Sequence, residues 1–177
     1  MKRIILLLVL PCIIAFAGCN SESSEEVDRT EYLRKNHLTE IDLSEFDLPL
    51  IIDVPDSTIG ELTVEQNSLG GVDIMVGNNF QVQIAGGEGN MASKKADIEG
   101  DAVYQAEYLI DEESALFYKR EIPGAEMDPE YHFFVIVKAG NSTFEISDIE
   151  GEIYPEKIAQ RMFDAAKAIQ VITQTEA

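Results

Sequence analysis

Cysteine and histidine are scarce in this chain. The two cysteines, Cys12 and Cys19, both lie in the first 19 of its 177 residues. A disulfide framework, a thiolate metal site and a cysteine nucleophile are therefore excluded from the part that follows. The two histidines are His37 and His132. No His-x-x-x-His pair and no Gly-x-Ser-x-Gly motif occurs, which argues against a zinc hydrolase and a serine hydrolase.

Basic residues are also few. The chain has 13 Lys and Arg against 33 Asp and Glu, for a formal net charge of −20. Such a surface repels phosphate backbones and anionic lipid headgroups, so a nucleic-acid partner is disfavoured. With 45% hydrophobic and 26% charged residues, the composition is typical of a globular chain with one domain.

The N-terminus has the pattern of a signal peptide. Lys2 and Arg3 are followed by an apolar stretch of about a dozen residues, from Ile4 to Phe16, interrupted by Pro11. A membrane-spanning helix needs roughly 20 apolar residues, so this stretch is too short to span. We interpret it as the hydrophobic region of a signal peptide over residues 1–18.

The sequence Phe16-Ala17-Gly18-Cys19 resembles the lipobox of bacterial lipoproteins, with Phe16 in place of the usual leucine. The resemblance implies cleavage before Cys19, a diacylglycerol on its sulfur and usually a third acyl chain on its amine. Ordinary secretion is the alternative, since Ala15-Phe16-Ala17 also fits a small-x-small cleavage site. Because that route leaves an unpaired exposed thiol, we predict lipid attachment at Cys19.

Residues 19–44 are predicted to be the lipidated N-terminus and an acidic linker. Residues 20–28 are polar and acidic, which favours a flexible spacer, and residues 29–44 fit either a short helix or a linker. Asn20 resembles the pattern of Gram-negative lipoproteins that are not retained at the inner membrane. The serine and glutamate cluster resembles the export signal of surface lipoproteins in Bacteroidota, or is only a spacer. We therefore expect a cell-envelope protein at the outer membrane rather than the inner membrane. The sequence leaves open whether it faces the periplasm or the cell exterior.

Apolar residues alternate along much of the remaining chain, which predicts strands with one solvated face in an antiparallel sheet. The alternating sets are Leu48, Leu50, Ile52 and Val54; Val72, Ile74 and Val76; and Phe80, Val82 and Ile84. Residues 102–110 and 115–122 are predicted to form a hairpin. In residues 131–138 both faces are apolar, which indicates a central strand covered by a helix.

A C-terminal amphipathic helix is predicted after Pro155, with Ile158, Met162, Ala165, Ala166, Ile169 and Ile172 on its apolar side. A shorter helix is predicted over residues 90–98. The expected fold is an α+β domain over residues 45–177, mainly an antiparallel sheet with the C-terminal helix packed on one face. The order of elements from AVYQAEYLI to this helix resembles the sandwich of the photosystem II extrinsic protein and its relatives, which implies a fold and no function.

Few residues have a pattern that points to chemistry. The Asp-Ile-Glu-Gly sequences at residues 97–100 and 148–151 fit acidic turns or calcium loops, and neither has EF-hand spacing. Ser57 in Asp56-Ser57-Thr58 resembles the O-glycosylation site of Bacteroidota secreted proteins, and also fits a plain turn. For His132, a hydrogen-bonded structural role is the interpretation we favour. No catalytic residue, metal site or cofactor is predicted.

The expected function is therefore a non-catalytic, membrane-anchored envelope lipoprotein that binds an unknown protein or glycan. Its predicted contact with the membrane is the N-terminal lipid. The alternative is an envelope enzyme that uses paired carboxylates on a glycan. A concave pocket with aromatic side chains around two close acids would favour the enzyme.

Overall fold

The computed structural model describes residues 22–68 and 70–173. In these ranges the chain forms three α-helices, which are α1 (Glu22–Lys35), α2 (Met91–Glu99) and α3 (Glu156–Lys167). The first five strands are β1 (Leu38–Asp42), β2 (Leu50–Pro55), β3 (Leu62–Gln66), β4 (Val72–Val76) and β5 (Gln81–Gly86). The others are β6 (Gln105–Asp111), β7 (Ala115–Glu121), β8 (Glu130–Ala139), β9 (Ser142–Asp148) and β10 (Gln170–Val171).

Seven strands form one antiparallel sheet in the order β3-β4-β5-β9-β8-β7-β6. The alternation predicted for β4 and β5 is confirmed, since their predicted inward residues are all buried: Val72, Ile74, Val76, Phe80, Val82 and Ile84. The hairpin of β6 and β7 is also confirmed.

β8 is the central strand predicted for residues 131–138, and it pairs with β7 and β9. One face packs against α3, where the Phe163 ring lies 5.5 Å from Phe117 and 6.2 Å from Phe133. On the other face, Phe134 and Ile136 belong to a smaller apolar cluster, against which Met91 and Ile98 of α2 pack. The predicted α+β class, with antiparallel sheets and a C-terminal helix on one face, is confirmed.

The folded part begins earlier than the predicted boundary at residue 45. Residues 38–42 form β1, which pairs with β2 in a second, three-stranded sheet of order β1-β2-β10. α1 begins at Glu22, inside the segment predicted to be a flexible spacer, and Arg29 of α1 binds Glu40 and Asp53. The predicted linker over residues 19–44 therefore contains a helix and a strand. Among the described helices, none has the length and apolarity needed to cross a membrane.

α3 ends before the last two residues of its predicted stripe. The helix stops at Lys167, while Ile169 and Ile172 lie beyond it. The chain then turns into β10, and the Ile172 N–H donates to the Pro49 carbonyl at 2.9 Å. The apolar spacing continues past the helix to Ile169, which packs against the core from beyond the last turn.

The close approach of Gly60 to Gly77 supports a specific prediction. A Cβ at position 60 would lie 2.6 Å from both the Cα and the N of Gly77, so the backbone must move. We expect Gly60→Ala to lower the free energy of unfolding by about 1–3 kcal/mol, the usual cost of overpacking. Gly86→Ala is the control, since a Cβ there has no atom of another residue within 4 Å. Equal denaturant midpoints for the two variants would contradict the prediction.

Candidate functional site

Five ionisable side chains meet at the end of the large sheet where β7 ends and β8 begins. Arg120 lies opposite Glu130 in the β7–β8 register, and Tyr118 lies opposite His132. Asp148, the last residue of β9, completes the group. Glu130, His132 and Asp148 are the buried polar or charged residues of the described chain, each 5–6% exposed. Buried charges need partners, and this cluster supplies them.

Asp148 holds His132 in place. Its Oδ2 lies 2.7 Å from Nδ1 of His132, and its Oδ1 accepts a hydrogen bond from the Phe133 N–H at 3.0 Å. Because an ionised carboxylate only accepts hydrogen bonds, Nδ1 carries the proton in this pair. The Nε2 atom is buried and has no hydrogen-bond partner in the described chain. It therefore retains unused hydrogen-bonding capacity.

Glu130 lies on the other side of the imidazole. Its Oε2 is 3.6 Å from Nε2 of His132, too far for a hydrogen bond. It accepts from Arg120 Nε at 2.7 Å, and its Oε1 accepts from the Tyr104 hydroxyl at 3.2 Å. Burial raises the pKa of the Glu130 carboxyl, but Arg120, with Tyr104 and His132, outweighs burial and lowers that pKa below its ordinary value. Glu130 is thus held as a carboxylate.

The cluster borders a concave surface, which we call the His132 pocket. Its volume is about 300 Å³, and its lining residues are Gln83, Ala85, Lys94, Tyr118, Arg120, His132, Phe133, Phe134, Glu145, Ser147, Asp148, Glu150 and Gly151. A smaller cavity of about 140 Å³ adjoins it and shares Lys94, Tyr118 and Arg120. Burial and the nearby Asp148 carboxylate raise the pKa of Tyr118, so its hydroxyl stays protonated and can donate.

The His132 pocket has aromatic side chains beside close acids, which is the feature that favours the enzyme alternative, but the pKa of Glu130 does not match acid catalysis on a glycosidic bond. A glycosidase needs a carboxylic acid whose pKa is raised so that it is protonated near neutral pH. Here the pKa of Glu130 is lowered, and Asp148 is engaged by two donors. The Asp148–His132 pair is the base half of a nucleophilic triad, but in the described chain no hydroxyl lies within hydrogen-bond distance of Nε2.

The residues singled out from the sequence lie apart from this cluster, except His132 and Asp148. Cys19 falls outside the described residues. Ser57 is exposed in the turn after β2, where Asp56 Oδ1 accepts from Thr58; this turn is compatible with either interpretation of Ser57. His37 is exposed and lies 3.4 Å from Asp56.

The two Asp-Ile-Glu-Gly sequences have different structures. Asp97 lies in α2, whereas Asp148 ends β9 and binds His132. Within residues 22–68 and 70–173, no group of three or more metal-ligating side chains is close enough to hold an ion. The repeat therefore marks no common site.

Glu130 and Arg120 were not singled out from the sequence, whereas Tyr104 and Tyr118 were among the aromatic residues considered for a pocket. A signal was present, because Glu130 and His132 alternate at the start of a strand whose other residues, except Lys138, are apolar or aromatic. Tyr118 and Arg120 alternate in the same way on the strand before it. Alternate residues share a face of a strand, so a polar set on the central strand was detectable. Which residues lie opposite one another depends on the β7–β8 register.

The chain matches no known protein-family model, and comparisons with characterised proteins and with solved structures gave no match.

Proposed function

We propose that this protein is a lipid-anchored protein of the bacterial cell envelope, on the outer membrane, whose domain binds a glycan in the His132 pocket. The observation that carries the proposal is the buried imidazole of His132. It is fixed by Asp148 on one side and has an unused nitrogen on the other, at a pocket lined largely by polar side chains. The lipobox-like sequence before Cys19 supports the anchor.

The mixture of groups around the pocket favours hydroxyl-rich ligands. Lys94 and Arg120 donate hydrogen bonds, Glu145 and Glu150 accept them, and Gln83 does both. A ligand of one charge sign would meet like charges here, whereas each sugar hydroxyl both donates and accepts. The Tyr118 and Phe134 rings add flat apolar surface, and about 300 Å³ lies at the lower end of small-ligand sites. A single sugar residue matches this size.

The binding experiment uses the lipidated protein in detergent micelles and an array of bacterial and host polysaccharide fragments. We expect saturable binding of at least one fragment, weakened about tenfold by Lys94→Ala, the loss expected for one charged hydrogen bond. Lys138→Ala is the control, because Lys138 is an exposed lysine that lines neither cavity. Absence of saturable binding, or equal binding by both variants, would contradict the proposal.

The same samples test the enzymatic alternative. Chromatography of each bound fragment after incubation is expected to recover it intact, because the pKa of the Glu130 carboxyl is lowered, whereas an acid catalyst needs a raised one. Shortened fragments that disappear with Glu130→Gln would support the enzyme.

A further inference from the structure

A second cavity, which we call the α3 groove, lies between α3, α1 and strands β1 and β2. Its volume is about 590 Å³, within the usual range for small-ligand sites. It shares no lining residue with the His132 pocket. Its apolar lining comes from Tyr32, Leu38, Pro55, Phe80, Ala165 and Ala168.

The groove is elongated because it follows one side of α3. Lys157, Arg161, Ala165 and Ala168 recur at spacings of three and four residues and all line it. From Lys157 to Ala168 the helix rises about 16 Å. The two alanines leave open space in the second half, since their side chains are short.

The wall opposite α3 is held by ion pairs. Arg29 of α1 bridges Glu40 of β1 and Asp53 of β2. Asp53 lines the groove, and this contact offsets its negative charge. The helix and the two strands therefore hold the groove open without a ligand.

The two cations of the groove lie in adjacent turns at one end. In the part of the chain that the structure describes, neither Lys157 nor Arg161 has an ion pair or a side-chain hydrogen bond. Arg161 also lines a neighbouring cavity of about 450 Å³, together with Leu38 and Pro55. Of the acids in the α3 wall, Asp164 accepts a hydrogen bond from Gln160 at 2.9 Å, and Glu156 lies in the first turn, where the helix dipole favours it. Two unpaired cations at one end of an apolar groove are complementary to an amphiphile with one anionic head group.

We propose that the α3 groove binds a free long-chain fatty acid. The carboxylate lies at Arg161, and the acyl chain extends along Leu38 and Ala165 toward Ala168. Between Arg161 and Ala168 the helix rises about 10 Å, so the groove covers the part of an extended acyl chain next to the carboxylate, and a planar guanidinium suits that carboxylate. This site is separate from the His132 pocket and does not depend on the glycan proposal.

The test uses the chain from residue 19 onward with Cys19→Ala, so that no detergent or attached acyl chain competes for the groove. Titration with octanoate, laurate and palmitate, followed by calorimetry, is expected to show saturable 1:1 binding. Affinity should rise about fourfold for each added buried methylene. Absence of saturable palmitate binding, or affinity independent of chain length, would overturn the proposal.

Two variants locate the ligand. Arg161→Gln should weaken palmitate binding about tenfold and leave the binding of the uncharged hexadecanol unchanged. Ala168→Phe should fill the groove and abolish binding of both. Their controls are Lys138→Gln and Ala92→Phe, at exposed positions outside the groove.

Two further outcomes would overturn the proposal. The first is palmitate binding that neither Arg161→Gln nor Ala168→Phe alters. The second is a stable dimer by sedimentation that palmitate does not affect and that Ala168→Phe dissociates, since the groove would then be an interface between two copies of this chain. The control variants report whether each substitution acts through the groove.

Discussion

Replacement of Cys19 by alanine is expected to release this protein from the membrane fraction entirely. Lipid attachment at Cys19 supplies two or three acyl chains, and each buried methylene contributes about 0.8 kcal/mol to membrane binding. A single myristoyl chain binds only marginally, so no anchor of comparable strength remains in a Cys19→Ala chain whose signal peptide has been cleaved at the alternative Ala15-Phe16-Ala17 site. The net charge of −20 also opposes residual binding to anionic lipid.

The measurement is membrane fractionation followed by intact mass. The unmodified sequence should sediment with membranes and carry a mass increase equal to its acyl groups, whereas Cys19→Ala should be soluble and lack that increase. Cys12→Ala is a matched control, because Cys12 lies inside the predicted signal peptide. Retention of Cys19→Ala in washed membranes would contradict the lipid anchor, and so would a native mass without acyl groups.

Most strands that the sequence predicted have a fully buried face; β6, predicted as part of a hairpin, has no buried residue. Val72, Ile74 and Val76 of β4 alternate with more polar or exposed positions and are at most 1% exposed, so burial alone imposes the period of two. β3 was not predicted, because its apolar residues Leu62 and Val64 are only partly buried. β3 belongs to the sheet through its antiparallel backbone pairing with β4, which the pattern of apolar residues does not show.

The candidate site was predictable only in part. His132 was interpreted as a hydrogen-bonded structural residue, and its bond to Asp148 agrees with that interpretation, but no local pattern indicated the partner. Asp148 belongs to a motif that also occurs at Asp97, where the chain is helical. Fifteen positions separate Asp148 from the Phe133 amide that it accepts from, so the contact exists only once β8 and β9 are in register.

The pair of Arg120 and Glu130 at this site should be the electrostatic contact with the largest effect on stability. Arg120→Met removes the cation but leaves a carboxylate that is 5% exposed. Breaking a buried pair in this way costs 3–5 kcal/mol. We expect about 3 kcal/mol at pH 7, because the Arg120 side chain is 32% exposed and water screens part of the interaction. Lys119→Met is the matched control, because its pair with the exposed Glu107 is screened by water and should contribute little to stability.

The pH dependence of this loss has a definite sign. In the native protein the pKa of Glu130 is lowered from its ordinary value of 4.5, so the pair stabilises the fold above that value and its contribution disappears as pH falls through the lowered pKa. In Arg120→Met, burial acts without the cation and raises the pKa of Glu130. The Glu130 carboxyl then becomes protonated at a higher pH than in the native protein, and the neutral carboxyl needs no cation. The difference in unfolding free energy should therefore be greatest near pH 7 and shrink as the pH falls below about 5.

The double variant Arg120→Met/Glu130→Gln separates the pair from other effects of losing Arg120. Arg120 also stacks on Tyr104, with 4.5 Å between the guanidinium carbon and the ring centroid, and that contact is absent from both variants. Because the neutral amide removes the unpaired charge, we expect the double variant to recover more than half of the lost stability at pH 7 and to show little pH dependence. Chemical denaturation between pH 4 and pH 8 measures both quantities. Equal stability of the single and double variants at every pH would mean that Arg120 acts through Tyr104 and packing rather than through Glu130.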